Sequence, residues 1–176
     1  MNLSDRENIK IKELLNAGMS GAADILSQML GFEISMNIPQ ILVFHFSKNL
    51  RIHLEDELRD GDLTSVTLNF EGNLSGDVKI IFPTESSQNL VTLLTGSNPE
   101  SPDFENFYSE TLLEIGNIVL NNACGTISNI LEDNFNYALP VVQSGTFETI
   151  LFPTKDEEER TFFIGTTLFD IKELEI

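Results

Sequence analysis

The sequence predicts an α+β fold in which two long helices pack on a largely antiparallel β-sheet. Two long stretches have apolar residues at helical spacing, and the segments between them have the short alternating runs of strands. The chain also matches itself at an offset of 101 residues (114 minus 13), and its 176 residues suit one domain built from two similar halves. We therefore expect a tandem duplication with pseudo-twofold symmetry, with repeats at about 1–100 and 101–176.

The first half begins with a long helix. Ser4-Asp5-Arg6-Glu7 has the form of a capping box, which predicts a helix start near Asp5, and helical spacing of apolar residues continues to Gly31. Two glycines interrupt this helix, Gly18 and Gly21. Either they allow another backbone to pack closely, or they are tolerated small residues.

Strands and a shorter helix complete the first half. "EISMNIPQILVFHF", "VTLNFEG" and "GDVKIIF" have strand patterns, and the last two predict a hairpin from Val66 to Phe82. "SSQNLVTLLTG" follows as a helix, which we expect to begin at a cap on Ser86 or Ser87 and to stop at Gly96.

The second half repeats this order with a shorter end. Ser101-Pro102 predicts the start of a long helix that runs to about Leu131, and strands are expected among "YALPVV", "TFETILF" and "TFFIGTTLFDI", with an acidic turn "TKDEEER" between the last two. By the offset, Ile176 corresponds to Ser75, so the second half lacks its last strand and helix. The final strand would then have no hairpin partner, which predicts a fragment or an edge covered by another element or subunit.

Composition narrows the classes of function. The chain has 28 acidic and 10 basic residues and a formal net charge of −18, which disfavours nucleic acid and anionic membranes as partners. Its one cysteine, Cys124, cannot form an internal disulfide, as is usual in a reducing compartment. Because no apolar run is long enough to span a bilayer, we expect a cytoplasmic protein with no nucleic-acid or membrane partner.

A glutamate and an asparagine stand three residues apart on each long helix, and a proline follows at the same distance in both halves. Residues three apart on a helix are surface neighbours with Cβ atoms about 5–6 Å apart. A carboxylate can pair with a cation, and an amide can donate and accept together and so orient a water molecule. For one copy alone, solvated residues or a capping amide would suffice, but the repetition favours a functional pair. The two copies are Glu13, Asn16 and Pro39, and Glu114, Asn117 and Pro140.

Other candidate sites are weaker. His45 and His53 are eight residues apart in a strand-rich stretch, a spacing that does not by itself build a metal site. The acidic run "EDELRDGDL" does not fit an EF-hand, so a solvated loop is the simpler interpretation. Cys124 lies at a small-residue helix position, which favours packing over nucleophilic chemistry.

The repeated pattern resembles the signature of the CheC/CheX family of chemotaxis phosphatases: Asp or Ser, three residues, Glu, two residues, Asn, twenty-two residues, Pro. The segments "LLEIGNI", "AADILSQMLG" and "FEGNLSGDVKIIFPTESSQNLVTLLTG" are also similar to the family, so the resemblance covers nearly the whole chain. Two copies resemble the CheC arrangement and imply a single CheC-like domain over 1–176. Ile9 and Glu110 stand where the family has Asp or Ser.

The resemblance implies a phosphatase for the phosphoaspartate of a CheY-like response regulator in two-component signalling. It assigns Glu13 and Glu114 to a salt bridge with the receiver's lysine, and Asn16 and Asn117 to the attacking water. The divalent cation, Mg²⁺, is expected in the receiver, and no cofactor is expected in this chain. The alternatives are a non-catalytic module that binds a receiver or a CheD-like deamidase, and a part of a flagellar switch or larger signalling protein.

Overall fold

The computed structural model describes residues 5–38, 41–45, 60–132, 134–152, 161–165 and 167–171. All strand pairings among them are antiparallel, which confirms the predicted α+β class. The elements in chain order are α1 (Asp5–Leu30), β1 (Ile34–Asn37), β2 (Ile41–His45), β3 (Leu63–Glu71), β4 (Gly76–Pro83), α2 (Thr84–Thr95), α3 (Phe104–Leu131), β5 (Asn136–Tyr137), β6 (Val141–Gly145), α4 (Phe147–Leu151), β7 (Thr161–Gly165) and β8 (Leu168–Ile171).

The chain divides into two compact units. The first consists of Met1–Lys48, Asn121–Asn134 and Asp156–Ile176, and the second of Asn49–Leu120 and Phe135–Lys155. Helix α3 contributes its first seventeen residues, 104–120, to the second unit and its remainder to the first. These units have different boundaries from the predicted repeats, and the duplication itself stays a prediction.

In the first unit, α1 crosses the end of α3 at close range. A Cβ placed on Gly18 would lie 3.1 Å from the backbone oxygen of Asn122 and 3.2 Å from the Cα of Ala123. The interpretation of Gly18 as a site of close backbone packing is therefore confirmed. Helix α1 ends as predicted at Gly31, whose φ of +75° suits glycine. The predicted capping box begins at Ser4, outside the described residues.

The last two strands of the first unit pair with strands from the start of the chain. β8 pairs with β1 from Ile34↔Ile171 to Asn37↔Leu168, and β7 pairs with β2 from Ile41↔Gly165 to His45↔Thr161. Of the alternatives predicted for "TFFIGTTLFDI", an edge covered by another element is the one that the structure shows. The run forms two strands, and their backbone groups are satisfied by β1 and β2 rather than by a hairpin partner in their own half.

The second unit contains a four-stranded sheet with β3 at its centre. β3 pairs with β4 from Leu63↔Pro83 to Phe70↔Gly76, which confirms the predicted hairpin and extends it at both ends. Its other edge pairs with β5 and β6. The buried apolar side chains of this unit include Leu63, Val66, Leu68, Val91, Leu112, Ile115, Val119, Phe135 and Ile150.

The cap predicted for α2 was wrong. The helix starts at Thr84, and no side chain caps its amino end. Ser87 is fully buried, and its hydroxyl lies 2.8 Å from Thr84 O and 2.7 Å from the Tyr108 hydroxyl, either of which can accept its single proton. Tyr108 in turn donates to the hydroxyl of Thr64 at 2.8 Å, so this chain of hydroxyls joins α2, α3 and β3. The predicted end of α2 at Gly96, with φ of +66°, is confirmed.

Two other boundaries also differ from the prediction. Helix α3 begins at Phe104 rather than at Pro102, and Ser101 O accepts from its first N–H at 3.0 Å. "TFETILF", expected among the strands, contains helix α4. Thr146 caps α4 through a hydrogen bond from the N–H of Thr149 to its hydroxyl oxygen at 3.4 Å, a local interaction that outweighs the alternating pattern.

Candidate functional site

The second glutamate–asparagine pair lies on the exposed face of α3 in the second unit. Glu114 and Asn117 are both exposed, whereas Leu112, Ile115 and Val119 between and around them are buried. Since the pair is one helical turn apart, its carboxylate and amide lie on the same side of the helix. The predicted pair is therefore accessible to another molecule.

Gly116, between the two members of this pair, brings the helix close to the sheet. A Cβ at this position would lie 2.5 Å from Val66 Cγ1 and 2.7 Å from Val66 Cβ. Val66 is fully buried on the central strand β3. Only glycine permits this contact, so it fixes the height of Glu114 and Asn117 above the sheet. Gly116 was not among the predicted site residues, although a glycine inside an apolar helix was a visible signal.

Pro140 lies in a β-bulge between β5 and β6. β6 pairs with β3 at Thr67↔Val141 and β5 pairs at Phe70↔Tyr137, so two residues of β3 face the three residues 138–140. One extra residue bends the strand and redirects its side chains. Leu139 is 87 % exposed within this bulge, and Pro140, which has no N–H to offer the ladder, is half-buried. Leu139 was not among the predicted site residues.

The first pair has a different environment. Glu13 is exposed on α1, but Asn16 is half-buried and bonds the backbone of Ile38 in both directions. Its Oδ1 accepts from Ile38 N–H at 2.6 Å, and its Nδ2 donates to Ile38 O at 3.0 Å. Ile38 immediately precedes Pro39, which lies outside the described residues. The capping role that a single copy could have is thus present at Asn16.

The residue before the proline differs in exposure between the two copies of the motif. Ile38 is 4 % exposed and Leu139 is 87 % exposed, although the repeat offset makes them equivalent. At the position where the family has Asp or Ser, Ile9 and Glu110 are both exposed. The two copies of the motif therefore present different surfaces, with the bulged leucine belonging to the second.

Removal of the Asn16 side chain is expected to destabilise the fold. Asn16→Ala leaves the N–H and C=O of Ile38 without their described side-chain partner, and an unpaired buried polar group costs about 1–3 kcal/mol. We expect the free energy of unfolding to fall by about 2–3 kcal/mol in urea titrations. Asn129→Ala, at an exposed helix position, is the matched control. Equal stability of the two variants would contradict a role for Asn16 in holding Ile38.

The remaining candidates offer no comparable site. Burial raises the pKa of the Cys124 thiol to about 11, so at neutral pH it is a hidden, protonated thiol. His53, the side chain of His45 and most of the acidic run "EDELRDGDL" lie outside the described part of the chain. Within that part, no three His, Cys, Asp or Glu side chains are grouped to hold a metal ion. Nor does any described helix have the length and apolar character to cross a membrane.

Comparison with known proteins shows similarity in both sequence and fold. No family model matches the sequence. CheC of Bacillus subtilis (strain 168), a CheY-P phosphatase, is 23 % identical over 173 residues, which cover 91 % of this chain and 78 % of CheC. FliY of Thermotoga maritima has 22 % identity and a TM-score of 0.75, with 99 % of this chain and 87 % of that chain covered.

The same fold occurs in a receiver complex. CheX, in the CheX–CheY–BeF₃–Mg²⁺ complex of Borrelia burgdorferi, has 19 % identity and a TM-score of 0.51, covering 82 % of this chain and 83 % of that chain. The chain is thus similar in sequence to CheC and similar in fold to FliY and CheX, in line with the resemblance of its signature residues to the CheC/CheX family.

Proposed function

We propose that this protein dephosphorylates the phosphoaspartate of a CheY-like response regulator, with Glu114 and Asn117 as its working pair. The exposed carboxylate and amide on one turn of α3 are the observation that carries the proposal. The sequence similarity to CheC, itself a CheY-P phosphatase, supports the same reaction.

The reaction needs positioning more than covalent chemistry. A water oxygen bonds to phosphorus as the bond from phosphorus to the receiver's aspartate oxygen breaks, releasing inorganic phosphate and the free carboxylate. Asn117 would orient this water through its amide, which both accepts and donates. Glu114 would pair with the receiver's lysine and fix the docking. The receiver's own Mg²⁺ would stabilise charge on the transferred group, as in other phosphoryl transfers.

The second pair is the stronger candidate of the two. Asn16 uses its amide oxygen and one amide N–H on the backbone of Ile38, so reorienting it toward a water would break those bonds. Glu13 and Asn16 remain the candidate residues of a second, weaker site. Asn117 is exposed whereas Asn16 is half-buried, and on this difference in exposure we assign most of the activity to Glu114 and Asn117.

The second candidate function is a module that docks a receiver or a CheD-like deamidase without hydrolysing phosphate, including as part of a flagellar switch or larger signalling protein. Glu110 favours this candidate, because it stands in place of the Asp or Ser of the signature and adds a second carboxylate one turn before Glu114.

The decay of phosphorylated CheY from Bacillus subtilis separates the two functions. With the receiver in excess, we expect each molecule of this protein to clear many phosphorylated receivers, measured as release of inorganic phosphate. Decay at the spontaneous rate would overturn the phosphatase proposal. Binding of CheY without faster decay would favour the docking module.

A further inference from the structure

We propose that Tyr108 is a positioning residue for Glu114 and Asn117, because its hydroxyl ties α3 to the central strand β3. This inference rests on the proposed function and concerns how the same site is held in place. Tyr108 is buried on α3, and its hydroxyl donates to the Thr64 hydroxyl at 2.8 Å. Its ring stacks on Phe104 of the same helix, with ring centroids 5.8 Å apart, which limits the directions in which the hydroxyl can point.

The strand side of this contact is a buried hydroxyl with further partners. Thr64 is fully buried, and its hydroxyl lies 3.1 Å from each of the hydroxyls of Thr84 and Ser144. A hydroxyl has one proton to donate and two lone pairs, so Thr64 can accept from Tyr108 while it donates to one of these two. Hydrogen bonds in such a chain polarise and strengthen one another inside a protein. The contact therefore holds the Tyr108 hydroxyl in a defined place over β3.

Two separate contacts then seat α3 on β3. Residues two apart on a strand point to the same face, and Thr64 and Val66 both meet the helix, the first at Tyr108 and the second at Gly116. Tyr108 and Gly116 are eight residues apart, which is about 12 Å along the helix axis. A helix held at one point can still pivot and roll about that point. Two contacts this far apart set its rotation as well as its height above the sheet.

The rotation of α3 decides where the exposed amide of Asn117 lies. Asn117 follows Tyr108 by nine residues, about two and a half turns, so the two side chains leave the helix on opposite sides. The side-chain surface is about 6 Å from the helix axis, so a roll of about 10° moves the amide by about 1 Å. A misplacement of about 1 Å can cost about 100-fold in rate. Glu114 tolerates the same shift better, because the attraction between two charges varies slowly with their separation.

Tyr108→Phe removes the tether and leaves the neighbouring hydroxyls with partners. Thr64 keeps Thr84 and Ser144, and Ser87 keeps Thr84 O, so the variant is expected to fold. With phosphorylated CheY from Bacillus subtilis, we expect kcat for release of inorganic phosphate to fall about tenfold and KM to change by less than about threefold. Ser87→Ala is the matched control. It removes a buried hydroxyl 2.7 Å from that of Tyr108 but keeps the bond from Tyr108 to Thr64, so kcat should stay within about twofold.

A double variant tests whether Tyr108 acts through Asn117. In protein that already carries Asn117→Ala, Tyr108→Phe should lower kcat by less than about twofold, because no amide remains to be misplaced. A loss of folded protein would instead lower kcat by the same factor with and without Asn117→Ala. Circular dichroism at the assay temperature gives the folded fraction of each variant, and kcat is expressed per folded molecule.

The outcomes distinguish this inference from the proposed function. If wild type hydrolyses the phosphorylated receiver and Tyr108→Phe has the same kcat as Ser87→Ala, the positioning role is overturned and the phosphatase stands. Equal factors of loss with and without Asn117→Ala would also overturn it. A loss of kcat that is confined to Tyr108→Phe and disappears in the Asn117→Ala background would support it. Receiver decay at the spontaneous rate with wild type would overturn the phosphatase and this inference together.

Discussion

Asn117→Ala is expected to lower the catalysed rate of CheY dephosphorylation by about 100-fold, because an attacking water that has lost its orienting partner spends little time in line with phosphorus. Asn117 is exposed on α3, so the variant is expected to fold. The measurement is the release of inorganic phosphate from phosphorylated CheY at saturating receiver. Affinity for CheY loaded with Mg²⁺ and BeF₃⁻, which mimics the phosphoryl group, should change much less, since Glu114 remains.

Two further variants test whether the loss of activity is specific to Asn117. Asn106→Ala removes the same side chain from an exposed position near the start of α3 and should leave the rate within about twofold. Asn16→Ala, assayed at a temperature where it stays folded, should lose less than half of the activity if the second pair does most of the work. Equal losses from Asn16→Ala and Asn117→Ala would contradict the assignment to the second pair, and an unchanged rate for Asn117→Ala would remove the amide from the mechanism.

Local patterns predicted most of the fold. Helical spacing located α1 and its end at Gly31, and alternation located the hairpin of β3 and β4. These predictions succeeded because each depends on residues close in sequence. Ser87 shows the limit, since a hydroxyl that could cap α2 instead bonds Tyr108, a partner that belongs to another helix.

The sequence did not predict which distant strands pair with one another. The partners of β7 and β8 are strands from the start of the chain, and nothing in "TFFIGTTLFDI" encodes which edge it joins. The bulge at 138–140 appears only when the registers of β5 and β6 against β3 are compared. The exposure of Leu139 follows from that register, so its amino-acid type alone would have predicted burial.

The candidate site, too, was predictable only in its local features. The spacing from asparagine to proline was visible in the sequence, and so was the common side of Glu114 and Asn117. The hydrogen bonds between the Asn16 amide and the backbone of Ile38 could not be predicted. Ile38 is 22 residues away, and its contact with Asn16 depends on how α1 lies beside β1. Chemistry and repetition can thus nominate a pair, whereas the distinction between its two copies requires the three-dimensional contacts.

Gly116→Ala is expected to destabilise the fold by about 1–3 kcal/mol, because the added methyl has no room above β3. Its Cβ would lie 2.7 Å from the Cβ of Val66, an atom that no change of rotamer can move. The helix must therefore rise from the sheet, which also displaces Glu114 and Asn117. Urea titration should show the loss of stability, and the phosphatase assay should show a lower rate in the fraction that remains folded.

Gly125→Ala is the matched control on the same helix. A Cβ at Gly125 would have no atom within 4 Å, so the substitution should stabilise α3 by up to about 1 kcal/mol through helix propensity alone. The stability changes expected for the two glycine variants have opposite signs. The comparison therefore separates the effect of steric contact from the effect of helix propensity. If Gly116→Ala were as stable as Gly125→Ala, α3 could not be seated on Val66 as described.

A second substitution identifies the atom responsible for the clash. Val66→Ala removes the Cγ1 that would lie 2.5 Å from the new methyl, but it keeps the Cβ at 2.7 Å. Val66→Ala alone should be destabilising, since it empties a fully buried position. Combined with Gly116→Ala it should cost less than the sum of the two single changes, by about 1–2 kcal/mol, as contacting residues do in double-mutant cycles. A recovered rate of dephosphorylation in the double variant would show that the height of α3 above β3 positions Glu114 and Asn117, because neither substitution changes a side chain of the pair.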